Sequence, residues 1–144
     1  MTVIGLYARR RFQTFVRGKN LKDFPKAVAR LRLLVSFGGA QFDMPFLQRT
    51  FPLFAPPPHV DLRFPLNRLG YSGGLKEIES DLDIKRPGNI SHMNGFDAIH
   101  LWNRHQRGDR SALKLLIEYT RHDVLNLIPL AKAMSEGMRT RLGF

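Results

Sequence analysis

Acidic residues are scarce at the front of this chain: Asp23 is the single carboxylate among the first 42 positions, against nine lysines and arginines. Cysteine is absent, which excludes disulfides and thiolate metal sites and makes a reducing cytosol, hence a cytoplasmic location, the natural expectation. No apolar run approaches the roughly 18 residues that a membrane span requires. Met1-Thr2-Val3-Ile4 lacks the charged region and cleavage site of a secretion signal. Internal repeats and low-complexity stretches are also missing, so solenoid and linker-like architectures are not expected.

What remains has the composition of a folded domain. With 144 residues, 43% hydrophobic and 24% charged, the chain is long enough to bury a core within one domain, residues 1–144. Its net charge of +11 favours a polyanionic partner, because contacts between cationic side chains and phosphates release condensed counterions. A basic protein with no nucleic-acid partner is the plainer alternative.

Hydrophobic patterning places strands early and helices late. Thr2 to Tyr7 is short and apolar, and Arg11 to Val16 alternates, with Ala8-Arg9-Arg10 as the turn between two antiparallel strands. Asp23 to Leu31 reads as an amphipathic helix with Pro25 in its first turn. Leu33 to Phe37 reads as a second buried strand, followed by a helix from Met44 to Phe51 with Pro45 at its start. Pro56-Pro57-Pro58 is a stiff connector. Helices are expected from Leu75 to about Leu82 and from Asp97 onward. A last helical region, capped by Asp109 or Ser111, runs through Ile117 and then from Asp123 to Met134. The order implies an α/β or α+β layer architecture.

Three residues carry the chemical interest. Asp43 follows a strand and opens a helix, at the carboxyl end of a strand where ligands collect in open α/β sheets. An aspartate there could equally serve only as a helix cap. Tyr119 and Asp123 are four apart and share a helix face, so one could orient a water beside a metal bound by the other. Tyr119 could instead be a core residue with its hydroxyl at the rim. Glu77, Glu79, Asp81 and Asp83 diverge around a helix axis and read as a solvated acidic face. Asp61 reads as a turn residue or as a supporting group, and Asp97 as a helix-start residue. Phe12, Phe15 and Phe46 are expected in the core.

Taken in order, TVIGLY, SFGGAQFDMPFL, HVDLR, LGYSGGLKEIESDL, NGFDAIHLW and GDRSALKLLIEYTRHDVLNL resemble the YprB-like ribonuclease-H-like family. That family belongs to the DnaQ-type, or DEDD, 3′–5′ exonucleases. The resemblance implies an α/β, ribonuclease-H-like fold: three layers, α/β/α, with a mixed sheet. It implies two-metal hydrolysis of phosphodiesters, with carboxylates holding Mg²⁺ or Mn²⁺, on single-stranded 3′ ends of DNA or RNA. Asp43 matches the second acidic motif and Asp123 the third, both as metal ligands. Tyr119 matches the water-positioning tyrosine of the Tyr-type branch; the His-type branch would place histidine where Glu118 stands. Folding is then expected to bring Asp43 and Asp123 to one cation pocket.

Two departures accompany the match. The family's first motif, an Asp-x-Glu on the initial central strand, would lie upstream of Thr2. Gly38 stands where relatives often carry asparagine. Two carboxylates are few for two hard cations, so this polypeptide is expected to hydrolyse weakly or not at all. Without the central strand, the strands at Thr2–Tyr7 and Leu33–Phe37 would face a vacancy and favour self-association, unless the natural protein is longer. A non-catalytic nucleic-acid-binding module and a structural remnant of the same fold are the alternatives.

Overall fold

The computed structural model describes residues 1–143. In chain order the strands are β1 (Val3–Ala8), β2 (Arg11–Val16), β3 (Leu34–Ser36) and β4 (His59–Asp61). The helices are α1 (Phe24–Val28), α2 (Asp43–Thr50), α3 (Arg63–Arg68), α4 (Leu75–Asp81), α5 (Gly95–Gln106), α6 (Arg110–Leu125) and α7 (Leu127–Leu142). The result is a mixed α/β fold with a reduced sheet content: β1 and β2 form one two-stranded sheet, β3 and β4 another. The single shared sheet implied for β1 and β3 is therefore replaced by two small ones.

The chain contributes to two compact units. The first comprises Met1–Leu21 and Lys85–Leu125; the second comprises Lys22–Ile84 and the residues from Asn126 on.

In the first unit, β1 and β2 pair antiparallel with Ala8 opposite Arg11, which leaves Arg9 and Arg10 as a two-residue loop. Both loop residues adopt left-handed backbone, φ 52° and 62°, as a type I′ turn requires of its two central positions. The face bearing Gly5 lies on α6. A Cβ added to Gly5 would stand 2.9 Å from the Val124 side chain and 3.0 Å from that of Thr120, so only glycine allows this approach. Val16, Ile90, Met93, Leu101, Trp102, Leu113 and Leu116 form the buried core, with Val3 and Tyr119 packed against it. Each such side chain fully removed from water contributes roughly 1.5–3 kcal/mol.

Local chemistry sets where the helices of this unit start. Asn94 accepts from Phe96 N and Asp97 N while the Asp97 carboxylate accepts from Asn94 N at 2.8 Å, a reciprocal capping box that opens α5. Asp109 opens α6 by accepting from Ser111 N and Ala112 N. It also accepts from the Ser111 hydroxyl and faces Arg104, and these contacts hold its pKa down at about 2.

In the second unit, β3 and β4 run parallel, with Leu34 opposite His59 and Ser36 opposite Asp61. Parallel neighbours need a long crossover, and the segment holding α2 supplies it. Leu62, Leu66, Ile78 and Leu130 are fully buried here, backed by Val35, Val60, Leu75, Leu82 and Leu127. The long helical region expected after Asp109 divides at Asn126, the residue that precedes α7. Pro129 explains the break: its ring and missing N–H are tolerated in a first turn but not within a continuous helix.

Candidate functional site

Asp43 belongs to the second unit, Tyr119 and Asp123 to the first.

The Asp43 region is built by the parallel strands. β3 ends at Ser36 and the chain turns through Gly38, whose φ of +74° favours glycine. A Cβ on Gly39 would fall 2.2 Å from Ser36 Oγ, so this position excludes every side chain. The turn is held from β4. Asp61, 7% exposed, accepts from Gly38 N at 2.8 Å, Ala40 N at 3.1 Å and Arg63 N at 3.1 Å. Asp61 spends both carboxylate oxygens on backbone amides, and so fixes the loop that presents Asp43. Nearby, Ser36 Oγ and His59 Nε2 are hydrogen-bonded at 2.7 Å.

Asp43 is the first residue of α2, and Phe42 occupies the cap position. Its carboxyl is half-buried, and burial raises its pKa; the neighbouring charge of Asp61 raises it further, while His59 opposes both. A carboxylate whose burial and carboxylate neighbour outweigh the relief from His59 favours a cation or proton that reaches it.

The Asp123 region has a different composition. Tyr119 and Asp123 do share a face of α6, and both meet Arg86. Arg86 Nη1 lies 2.6 Å from Asp123 Oδ1, with the arginine side chain 4% exposed and the aspartate 34% exposed. The same guanidinium carbon lies 5.6 Å from the centre of the Tyr119 ring, within cation–π range. Tyr119 also packs against the apolar core. A permanently charged, nearly buried cation thus stands against the carboxylate matched to the third acidic motif.

Arg86 carried no signal in the sequence: it sits in the loop before Pro87, and nothing local predicts its burial. The acidic run contains a second surprise. Glu79 is 3% exposed and accepts from Asn126 Nδ2 at 3.2 Å, whereas Glu77, Asp81 and Asp83 face solvent. The solvated acidic face expected here therefore excludes Glu79. Its position was readable, since Leu75, Ile78, Glu79 and Leu82 share one helix stripe.

A family model of the RNase H superfamily matches residues 1–135. The chain belongs to the RNase H superfamily. No curated protein and no solved structure matches it.

Members of the RNase H superfamily generally use divalent metals and act on nucleic acids. The donors of this RNase H-superfamily chain do not fit that cofactor as they are arranged. Asp123 is already matched with a guanidinium, and Asp61 is committed to three amides. Among the described residues no group of three or more histidine, aspartate or glutamate side chains could hold a metal ion. Hard divalent cations take six or more oxygen ligands, which one or two carboxylates leave largely to water and substrate phosphates, so neither carboxylate centre alone forms a protein-built cage for a pair of metals. No helix among the described residues is long and apolar enough to cross a membrane.

Proposed function

We propose that this RNase H-superfamily domain is of the DnaQ-type, Tyr-branch 3′–5′ exonuclease kind, engages single-stranded nucleic acid, and as the 144-residue polypeptide hydrolyses it weakly or not at all. The observation that carries the reading is the Arg86–Asp123 pair: the position expected to hold a metal is balanced by a side chain of the protein itself. Tyr119, Asp123 and Asp43 are the residues matched to the exonuclease motifs. In this reading Asp43 keeps its elevated proton and cation affinity, and Tyr119 orders the guanidinium instead of a water.

The chain's own groups support binding without supplying hydrolysis. A net charge of +11 attracts a phosphate backbone and makes affinity fall steeply with salt. Hydrolysis at neutral pH needs an activated water and charge stabilisation of the leaving oxygen, which metals provide in this class. With the Asp123 charge already neutralised, no comparable centre is formed there.

The test is release of nucleotides from 3′-labelled single-stranded DNA and RNA, with Mn²⁺ and with EDTA. The expected result is at most a trace of Mn²⁺-dependent turnover. Sustained turnover that requires Mn²⁺ and disappears in Asp123→Ala would overturn the proposal of weak activity and restore a working nuclease.

The same ion pair favours a second reading, a non-catalytic nucleic-acid-binding module. The two differ in metal response: a trace of Mn²⁺-dependent cleavage marks the exonuclease, and salt-dependent binding with none marks the module.

A further inference from the structure

The β1–β2 hairpin ends in a turn whose shape and sequence disagree. With Ala8 paired to Arg11, the loop is Arg9-Arg10, and both residues have positive φ, 52° and 62°. Turns of this type select Asn-Gly or Asp-Gly, because a Cβ is disfavoured in left-handed backbone. Here two arginines hold those positions, and a third, Arg11, follows at once. Strained backbone kept against local preference points to a use for the side chains.

Their surroundings indicate what that use is. Arg9, Arg10 and Arg11 are exposed. No acidic residue occurs before Asp23, and none of the three arginines forms an ion pair among the described residues. Aromatic surface stands beside them. Tyr7 pairs with Phe12 across the strands, and Tyr7 remains 38% exposed. Arg121, from α6, extends the basic surface, its guanidinium carbon lying 5.7 Å from the Phe12 ring centre. Unpaired guanidinium groups next to an open ring are the elements of a single-strand binding surface: cations follow the phosphates and an aromatic face receives a base.

We infer that the Arg9-Arg10 hairpin tip, with Arg121 and the Tyr7 ring, is a docking surface for the backbone of single-stranded nucleic acid. This rests on the nucleic-acid reading above and assigns the contact to one element of the first unit. Guanidinium forks suit phosphate oxygens, and a two-residue tip projects them in fixed directions.

The turn itself supplies a discriminating variant. Arg9→Asn with Arg10→Gly installs the residues that the turn prefers, so the hairpin keeps its geometry and the melting temperature holds or rises. Binding of a fluorescent 20-nucleotide poly-dT strand is measured by anisotropy from 50 to 300 mM NaCl. A companion variant, Arg30→Gln with Arg32→Gln, removes the same charge from exposed positions elsewhere. The hairpin variant is expected to lose affinity by on the order of tenfold near 0.1 M salt. Its salt slope should shrink by about 1.4, since each phosphate contact on a single strand contributes about 0.7. The companion should change both less. Tyr7→Thr, which preserves strand propensity, is expected to weaken binding several-fold with the slope unchanged.

Equal losses in the two charge variants would mean general electrostatics and overturn the hairpin assignment. A hairpin variant that binds like the parent would overturn it as well, and would leave the nucleic-acid reading intact. A parent chain that does not bind the strand at all would overturn that reading itself. A Tyr7→Thr variant with unchanged affinity would remove the ring from the surface.

Discussion

Two carboxylates that the proposed exonuclease reading assigns to one site live in opposite electrostatic settings here. Asp123 is met at 2.6 Å by a nearly buried guanidinium. Asp43 has burial and the Asp61 carboxylate against it, with His59 as partial relief. The first is a settled structural pair; the second is a charge that the fold tolerates at a cost. The contrast teaches that a motif match fixes where a carboxylate stands along the chain but not which cation answers it.

The largest test of this contrast removes the internal cation. Arg86→Met should destabilise the chain by about 3 kcal/mol in urea unfolding, near the low end for breaking a buried pair because Asp123 is partly open to water. Arg86→Met combined with Asp123→Leu should recover most of that loss. If the single variant unfolds like the parent, the ion pair is not what balances Asp123, and the comparison fails.

A smaller effect is expected at the loop support. Asp61→Asn keeps the shape but surrenders the charge that three backbone amides donate to, with an expected loss of about 1.5–2 kcal/mol. It should also lower the Asp43 pKa, since the Asp61 charge is the second-largest cause of its elevation. NMR titration of the Asp43 carboxyl carbon in the variant would measure the shift directly. No downward movement would show that burial alone sets the value.

The smallest effect has the most diagnostic sign. The folded-state pKa of Asp43 is raised above its ordinary value near 3.8, so the folded chain binds that proton more tightly than the unfolded one. The stability this provides is complete below about pH 3.8 and is lost as pH rises through the raised folded value. Asp43→Asn should therefore melt slightly higher than the parent at pH 7, with the gap closing on acidification. Asp123→Asn, which abandons Arg86, should melt lower at pH 7. Thermal scans of both variants from pH 4 to 7.5 decide the matter, and shifts of the same sign would erase the distinction.

The parts of this structure legible in the sequence are those that neighbours along the chain determine. The hairpin followed from alternation and a short gap, although Ala8, expected in the turn, pairs with Arg11 in the ladder; α4 followed from its apolar spacing. Asp97 at a helix start became half of a capping box with Asn94. The family match over residues 1–135 agrees with the ribonuclease-H-like fold read from the ordered motifs. Less legible was β4, whose three residues acquire strand character only by pairing with β3. The division at Asn126 was readable from Pro129 and was missed, because the leucine spacing runs through it. The burial of Arg86 depends on a partner 37 positions away, and two of the three amide contacts of Asp61 on partners 21–23 positions away; no local periodicity encodes such meetings.

The route of the chain has a consequence for anyone dissecting it. It passes between the units after Leu21, Ile84 and Leu125, so neither is a contiguous stretch. A premature stop after Leu125 would preserve every segment of the first unit yet strip α7 from the second, taking Leu130 from its core and Asn126 from Glu79. Simple truncation yields no autonomous half. Separating the two carboxylate centres for study would require rejoining distant segments through new linkers, not shortening the gene.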